Sequence, residues 1–132
     1  MRVAGFVFAA LALSPASASG TTQIYKPEAY IARHCNASRN ICSGIFRSRG
    51  GPNRIVFQLM TSDRYFARYL LCVQPPRGAK KCRTAPINPQ GSVYGSHLRW
   101  PRYFGDHGPG VYRVSWSRAG QQLGPALAFR RR

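Results

Sequence analysis

The sequence predicts an all-β fold, an antiparallel sandwich of about seven short strands stapled by two disulfides. Three observations carry that prediction. Apolar and polar residues alternate over short runs, the period of a half-buried strand. Turns rich in Pro and Gly divide the runs, and no segment sustains the 3.6-residue period of a helix. Cys35, Cys42, Cys72 and Cys82 form an even set in a chain that opens with an export leader. In an oxidising compartment such a set favours disulfides over metal ligation.

The leader is Met1–Ala18. Arg2 supplies the positive end, Val3–Leu13 the apolar stretch and Ala16-Ser17-Ala18 a small-residue cleavage site, the composition of a secretory signal peptide. The stretch is shorter than the roughly 20 residues a membrane helix needs. Cys35, the first cysteine, lies well beyond the cleavage site, so no acylated cysteine follows it. The reading is a secreted, extracellular product in which Ser19–Arg132 forms one β-sandwich domain with a single modest core.

The elements follow in order. Ser19–Pro27 is extended, and its TTQIY suits a first edge strand. EAYIARHC reads as a strand or a short helical turn, and NASRNICSG as a loop. Its Asn36-Ala37-Ser38 sequon carries no weight in so bacterial a composition. RSRGGPN is a turn by its Gly-Gly-Pro-Asn chemistry. RIVFQLM sets Ile55, Phe57 and Leu59 on one face, with Val56, Gln58 and Met60 on the other. After a turn at TSDR, YFARYLLCVQ points Tyr69, Leu71 and Val73 one way. PPRGAKK reverses the chain and CRTAPI returns beside it. NPQGS turns again, and SVYGSHLRW opposes Tyr94, Leu98 and Trp100 to Val93, His97 and Arg99. VYRVSW faces Tyr112, Val114 and Trp116 inward, SRAG turns, and the closing strand offers Leu127 and Phe129.

Four cysteines allow three pairings. The favoured one is Cys35–Cys42 with Cys72–Cys82, because each bridge brackets a turn-rich segment and paired strands bring their Cβ atoms within reach. Neither spacing is that of a zinc knuckle, so no metal and no cofactor is expected.

Charge bounds the function classes. The chain carries 20 Lys and Arg against 3 Asp and Glu, a net +17, and loses one positive charge with Arg2. Arginine outnumbers lysine 17 to 3, which a GC-rich genome partly explains. Codon usage does not explain the scarcity of acids, so the surface reads as one kept for anionic surroundings.

A resemblance enters in the closing third. Gly110-Val111-Tyr112-Arg113-Val114, a tight turn, then Leu123-Gly124-Pro125-Ala126-Leu127-Ala128-Phe129 resembles the end of immunoglobulin-like or fibronectin-type sandwiches. The resemblance implies that Tyr112 ties down a corner, two residues before the inward Val114. Val114 stands where antibody domains carry an inter-sheet cysteine, so that bridge is missing. Gly124-Pro125 marks a kinked edge strand. The whole pattern also resembles the small four-cysteine secreted proteins of actinobacteria, which implies a fold and no particular activity.

Catalysis lacks its groups. Glu28, Asp63 and Asp106 are the only carboxylates, too few and too scattered for a glycosidase pair. Ser96 and His97 are strand neighbours and face opposite ways. No Gly-x-Ser-x-Gly elbow is present. Tyr103-Phe104-Gly105-Asp106-His107 faintly resembles the histidine segment of secreted microbial ribonucleases, without their upstream glutamate. No catalytic residue is assigned and the chain is not read as an enzyme. A protease inhibitor presenting Arg77 or Lys80 from the Cys72–Cys82 loop is the rival class, and a small secreted ribonuclease follows it. The leading expectation is a cationic module that binds an anionic extracellular or cell-envelope polymer, or an acidic protein surface. Non-specific attraction to nucleic acid follows from the same charge. Candidate contacts are Arg47, Arg49 and Arg54; Arg77, Lys80, Lys81 and Arg83; Arg99 and Arg102 beside Trp100; Arg113 and Arg118; and Arg130, Arg131 and Arg132. Tyr65, Phe66, Tyr69, Trp100, Tyr103 and Phe104 could offer stacking faces, although Tyr69 and Trp100 fit the inward pattern better.

Overall fold

Alternation becomes two facing sheets in the computed structural model, which describes residues 29–48 and 54–132. The leader, the TTQIY segment, Glu28 and residues 49–53, with Arg49, lie outside the described residues. Ten strands are present there: β1 Tyr30–Cys35, β2 Ile41–Arg47, β3 Ile55–Thr61, β4 Arg68–Gln74, β5 Lys81–Pro86, β6 Asn88–Gln90, β7 Val93–Trp100, β8 Gly110–Arg118, β9 Gln121–Gln122 and β10 Leu127–Arg131.

The first sheet runs β1-β2-β3-β7-β6. In the second, β5 pairs with β4, β4 with β8, and both β9 and β10 pair with the far side of β8. All neighbours are antiparallel. The chain changes sheet after β3, β5 and β7, so the layers are sewn together by three crossings. Ile45, Ile55, Phe57, Leu59 and Trp100 of the first sheet meet Tyr69, Leu71, Val73, Tyr112, Val114, Trp116 and Phe129 of the second. One end of this core is aromatic. Tyr112 and Phe129 stack at 5.0 Å, and Trp100 meets each edge-on at 5.1 Å. Burying several such rings at about 25 cal/mol per Å² is the main attraction between the layers.

Ten strands replace the expected seven or so, one of them the short Gln121–Gln122 pairing after the SRAG turn. Within EAYIARHC, Tyr30–Cys35 is strand rather than helical turn. The loop after it is only Asn36–Asn40, closed by the Asn36 side chain, which accepts the amides of Asn40 and Ile41 at 3.0 and 3.2 Å. Cys42-Ser43-Gly44, read as loop, belongs to β2 and is buried on both faces, so it shows no alternation. Within the expected NPQGS turn, Asn88–Gln90 pairs with β7.

Both disulfides join directly opposed residues of neighbouring strands. Cys35 faces Cys42 with Cα atoms 4.1 Å apart, and Cys72 faces Cys82 at 4.0 Å. Each pins a hairpin within one sheet and contributes about 2–3 kcal/mol by restricting the unfolded chain. The corner at Tyr112 is formed by its buried hydroxyl, which donates to the Gly108 carbonyl at 2.7 Å and accepts the His107 amide at 2.8 Å. The β8–β9 hairpin turns through Ala119 and Gly120 at φ 50° and 79°, positive values suited to a tight two-residue turn.

Candidate functional site

Strand direction decides where the arginines go. β2 ends at Arg47, β3 starts at Ile55, β7 ends at Trp100 and β10 ends at Arg131. Ile55 lies opposite both Arg47 and Trp100. In the second sheet, Arg131 lies opposite Gly110, where β8 begins, and the 75–80 turn closes β4 onto β5 at the same end. Ser48 and Arg54, the connections at 75–80 and 101–109 and the closing residues therefore share one pole. Arg47, Arg54, Arg77, Lys80, Lys81, Arg83, Arg99, Arg102, Arg130, Arg131 and Arg132 collect there. Arg113 points out from the second sheet opposite Gln74. Arg118 sits in the β8–β9 hairpin at the opposite pole, its guanidinium 5.5 Å from the Phe66 ring centre.

Among the described residues, two hollows at the basic pole have Ile55 and Trp100 in their lining. The larger, about 380 Å³, is the mouth between the sheets, lined also by Arg47, Phe129, Arg130, Arg131 and Arg132. The smaller, about 190 Å³, lies on the outer side of the first sheet, lined by Ser48, Arg54, Arg99, Pro101 and Arg102. Alternation explains the division: Ile55 and Trp100 face the core, while Arg54 and Arg99 share the outward parity of Val56 and His97. The Trp100 indole N–H is buried with no hydrogen-bond partner.

Among the described residues the carboxylates are Asp63 and Asp106, and only Asp106 is at this pole. Arg131 Nε donates to its Oδ2 at 2.8 Å and the Gly108 amide to its Oδ1 at 2.9 Å. Slight burial pushes this carboxyl up, but those donors and the Arg131 charge outweigh it and hold it below its ordinary value. The chain thus consumes the pole's one described acid internally.

The aromatic faces are taken as well. Tyr69, Trp100 and Phe104 are core, and Phe66 is buried under Arg118. The Tyr103 ring has the Arg83 guanidinium 4.3 Å from its centre and Arg102 at 5.6 Å. Tyr65 stays exposed on the 62–67 connection, its hydroxyl 2.8 Å from Ser62 Oγ. In the Cys72–Cys82 loop, Arg77 Nη1 donates to the His107 carbonyl at 2.8 Å. Gln74 Nε2 donates to the Pro75 and Gly78 carbonyls, both at 3.2 Å. The turn is folded onto its neighbour, with its arginine engaged.

Ser96 and His97 diverge as alternation requires. Ser96 Oγ accepts the Tyr69 hydroxyl at 2.9 Å inside the core, whereas His97 lies on the outer face. That face carries a device the sequence reading missed. Gly44 leaves room for the Tyr30 ring, since a Cβ there would come within 2.6 Å of it. The Tyr30 hydroxyl donates to Gln58 Oε1 at 2.6 Å, and Gln58 Nε2 donates to His97 Nε2 at 3.0 Å. A ring that accepts at Nε2 carries its proton on Nδ1, which lies 3.2 Å from the Gln90 amide. Turning that amide places Oε1 against Nδ1 and also satisfies an oxygen otherwise buried without a partner. Four strands are thereby tied by side chains, and burial lowers the His97 pKa to about 4.

Among the described residues, no group of three His, Cys, Asp or Glu side chains could hold a metal ion, and no helix is long and apolar enough to cross a membrane. Comparison with family models, curated proteins and solved structures returns no match for this chain.

Proposed function

We propose that this protein is a secreted, immunoglobulin-like module whose basic pole binds an anionic extracellular or cell-envelope polymer. One observation carries the reading: arginines from four separate segments converge on one pole, around two hollows, where the single described carboxylate is already bound by Arg131. Like charges so gathered repel, and a partner that neutralises them gains both their attraction and the release of its counterions.

The strand order supports the fold assignment. With β1, β5 and β9 set aside, β2-β3-β7-β6 and β10-β8-β4 reproduce the two sheets of a seven-strand constant-type immunoglobulin domain. The Tyr112 hydroxyl at the start of β8 makes the backward bond to Gly108 that belongs to that corner. The two hairpin disulfides and the Met1–Ala18 leader agree with export.

A salt gradient on immobilised heparin tests the pole against bulk charge. The triple variant Arg54→Glu, Arg99→Glu, Arg102→Glu is compared with Arg64→Glu, Arg68→Glu, Arg118→Glu, which changes net charge equally elsewhere. Elution of the first variant at clearly lower salt supports the reading. Coincident elution of the two would reduce the pole to a share of the net charge and overturn it.

A further inference from the structure

Resting on the reading of the pole as an anion site, we infer that its ligand is a flexible, linear phosphate polymer without aromatic groups. Three features of the pole select that class.

The first is the disposition of the hollows. They share Ile55 and Trp100, and strand parity sets the larger, with Phe129, toward the space between the sheets and the smaller, with Arg54 and Arg99, toward the outside of the first sheet. A ligand serving both must enter a mouth and then bend over a strand end. Duplex nucleic acid is stiff over about 150 base pairs and can lie across only one side. A single flexible chain can do both.

The second is the lack of an available stacking face. Proteins that hold single-stranded nucleic acid place bases on exposed aromatic rings, each worth about 1–3 kcal/mol. At this pole Trp100 and Phe104 are buried and Tyr103 is covered by Arg83 and Arg102. Bases would find no platform, so the backbone charge is what is read.

The third is the number of guanidinium groups around each small volume. Arg130 and Arg132 reach the larger hollow beside Arg131, while Arg54, Arg99 and Arg102 surround the smaller. Two coplanar oxygens of a carboxylate suit one or two guanidinium forks. The tetrahedral oxygens of phosphate accept from several directions at once, and successive phosphates along a chain supply one anion to each hollow. Arginine rather than lysine lines both, as forked donation to phosphate favours.

The experiment measures binding of the full mature chain at physiological salt to four probes of equal total charge: long-chain inorganic polyphosphate, oligo-dT, a DNA duplex and polygalacturonate. Polyphosphate should bind at least tenfold more tightly than the other three. Arg130→Glu with Arg132→Glu, and Arg54→Glu with Arg99→Glu, should each weaken polyphosphate at least tenfold. Arg64→Glu with Arg118→Glu should change it less than threefold, with circular dichroism confirming that every variant is folded. Equal binding of all four probes would overturn the phosphate assignment while leaving a general anion site. Preference for polygalacturonate would overturn it in favour of a carboxylate polymer, and preference for oligo-dT in favour of nucleic acid. Loss from only one hollow's variant would overturn the bridging geometry. Failure to bind any probe would remove the anion site itself.

Discussion

Acid charges His97 in the unfolded chain long before it can charge His97 in the folded one. The ring lies against the outer face of the first sheet, with Gln58 on one nitrogen and Gln90 on the other, and burial lowers its pKa from 6.5 to about 4. Between those values the unfolded chain binds the proton and the folded chain does not, so stability falls as the pH falls. The contribution is whole above pH 6.5, declines through the interval and is exhausted below about 4. At about 1.4 kcal/mol per pH unit the displacement amounts to about 3 kcal/mol, a large share of the 5–15 kcal/mol typical of a domain. Asp106, held below its ordinary value by its hydrogen bonds and Arg131, overlaps the window only at its acid end. Urea unfolding at pH 7.5, 6.5, 5.5 and 4.5 measures the loss directly. His97→Gln retains an amide that can bond both neighbours but cannot titrate. It should flatten the profile by about 2–3 kcal/mol across the interval. A variant that loses as much stability as the parent on acidification would refute the reasoning, as would a parent whose stability is unchanged down to pH 4.5.

Three further outcomes follow from particular contacts. Gly95→Ala drives a methyl to 2.8 Å from the Leu59 carbonyl and 2.6 Å from Met60 Sδ. It should cost about 1–3 kcal/mol in urea unfolding, and an unchanged midpoint would show that the strands can part there. Tyr112→Phe leaves the Gly108 carbonyl and the His107 amide without their shared hydroxyl, for a loss of about 1–3 kcal/mol in thermal or chemical unfolding. Asp106→Asn removes the one described carboxylate of the basic pole and releases Arg131 from it. It should delay elution from immobilised heparin, and earlier elution would mean that Arg131 must be held in place to bind.

Alternation revealed β4 and β8, which pack one face on the core and leave the other more open, while β3, buried on both faces, was legible as a continuous apolar run between turns. β2 escaped because Ser43, Gly44, Ile45 and Phe46 are buried irrespective of parity, so no period of two survives there. The side-chain chain on the outer face escaped for a related reason. Gln58 and His97 read as outward polar residues, and only the register that sets Gly44 opposite Gln58, and Gln58 opposite His97, brings the Tyr30 ring across them. The basic turns were individually plain in the sequence. Their convergence depends on which connections close the same end, a consequence of strand direction and sheet crossings that local patterns do not contain. Counting alternate connections along the strand series would have put Ser48 and Arg54 together with 75–80 and 101–109. The engagement of Arg77 with His107 and of Arg131 with Asp106 required the loop conformations themselves.

The two bridges link each cysteine to its nearest cysteine neighbour along the chain, across separations of 7 and 10 residues. Loops of about ten residues meet within 10–100 ns and hairpins form within microseconds, far faster than thiols oxidise. Each correct pair can therefore be presented repeatedly by its own hairpin before the sheets have packed. Oxidation and assembly of the sandwich are thereby decoupled. A chain delivered amino-end first can finish the Cys35–Cys42 bridge while Cys72 and Cys82 are still arriving, so the order of emergence itself guards against mispairing.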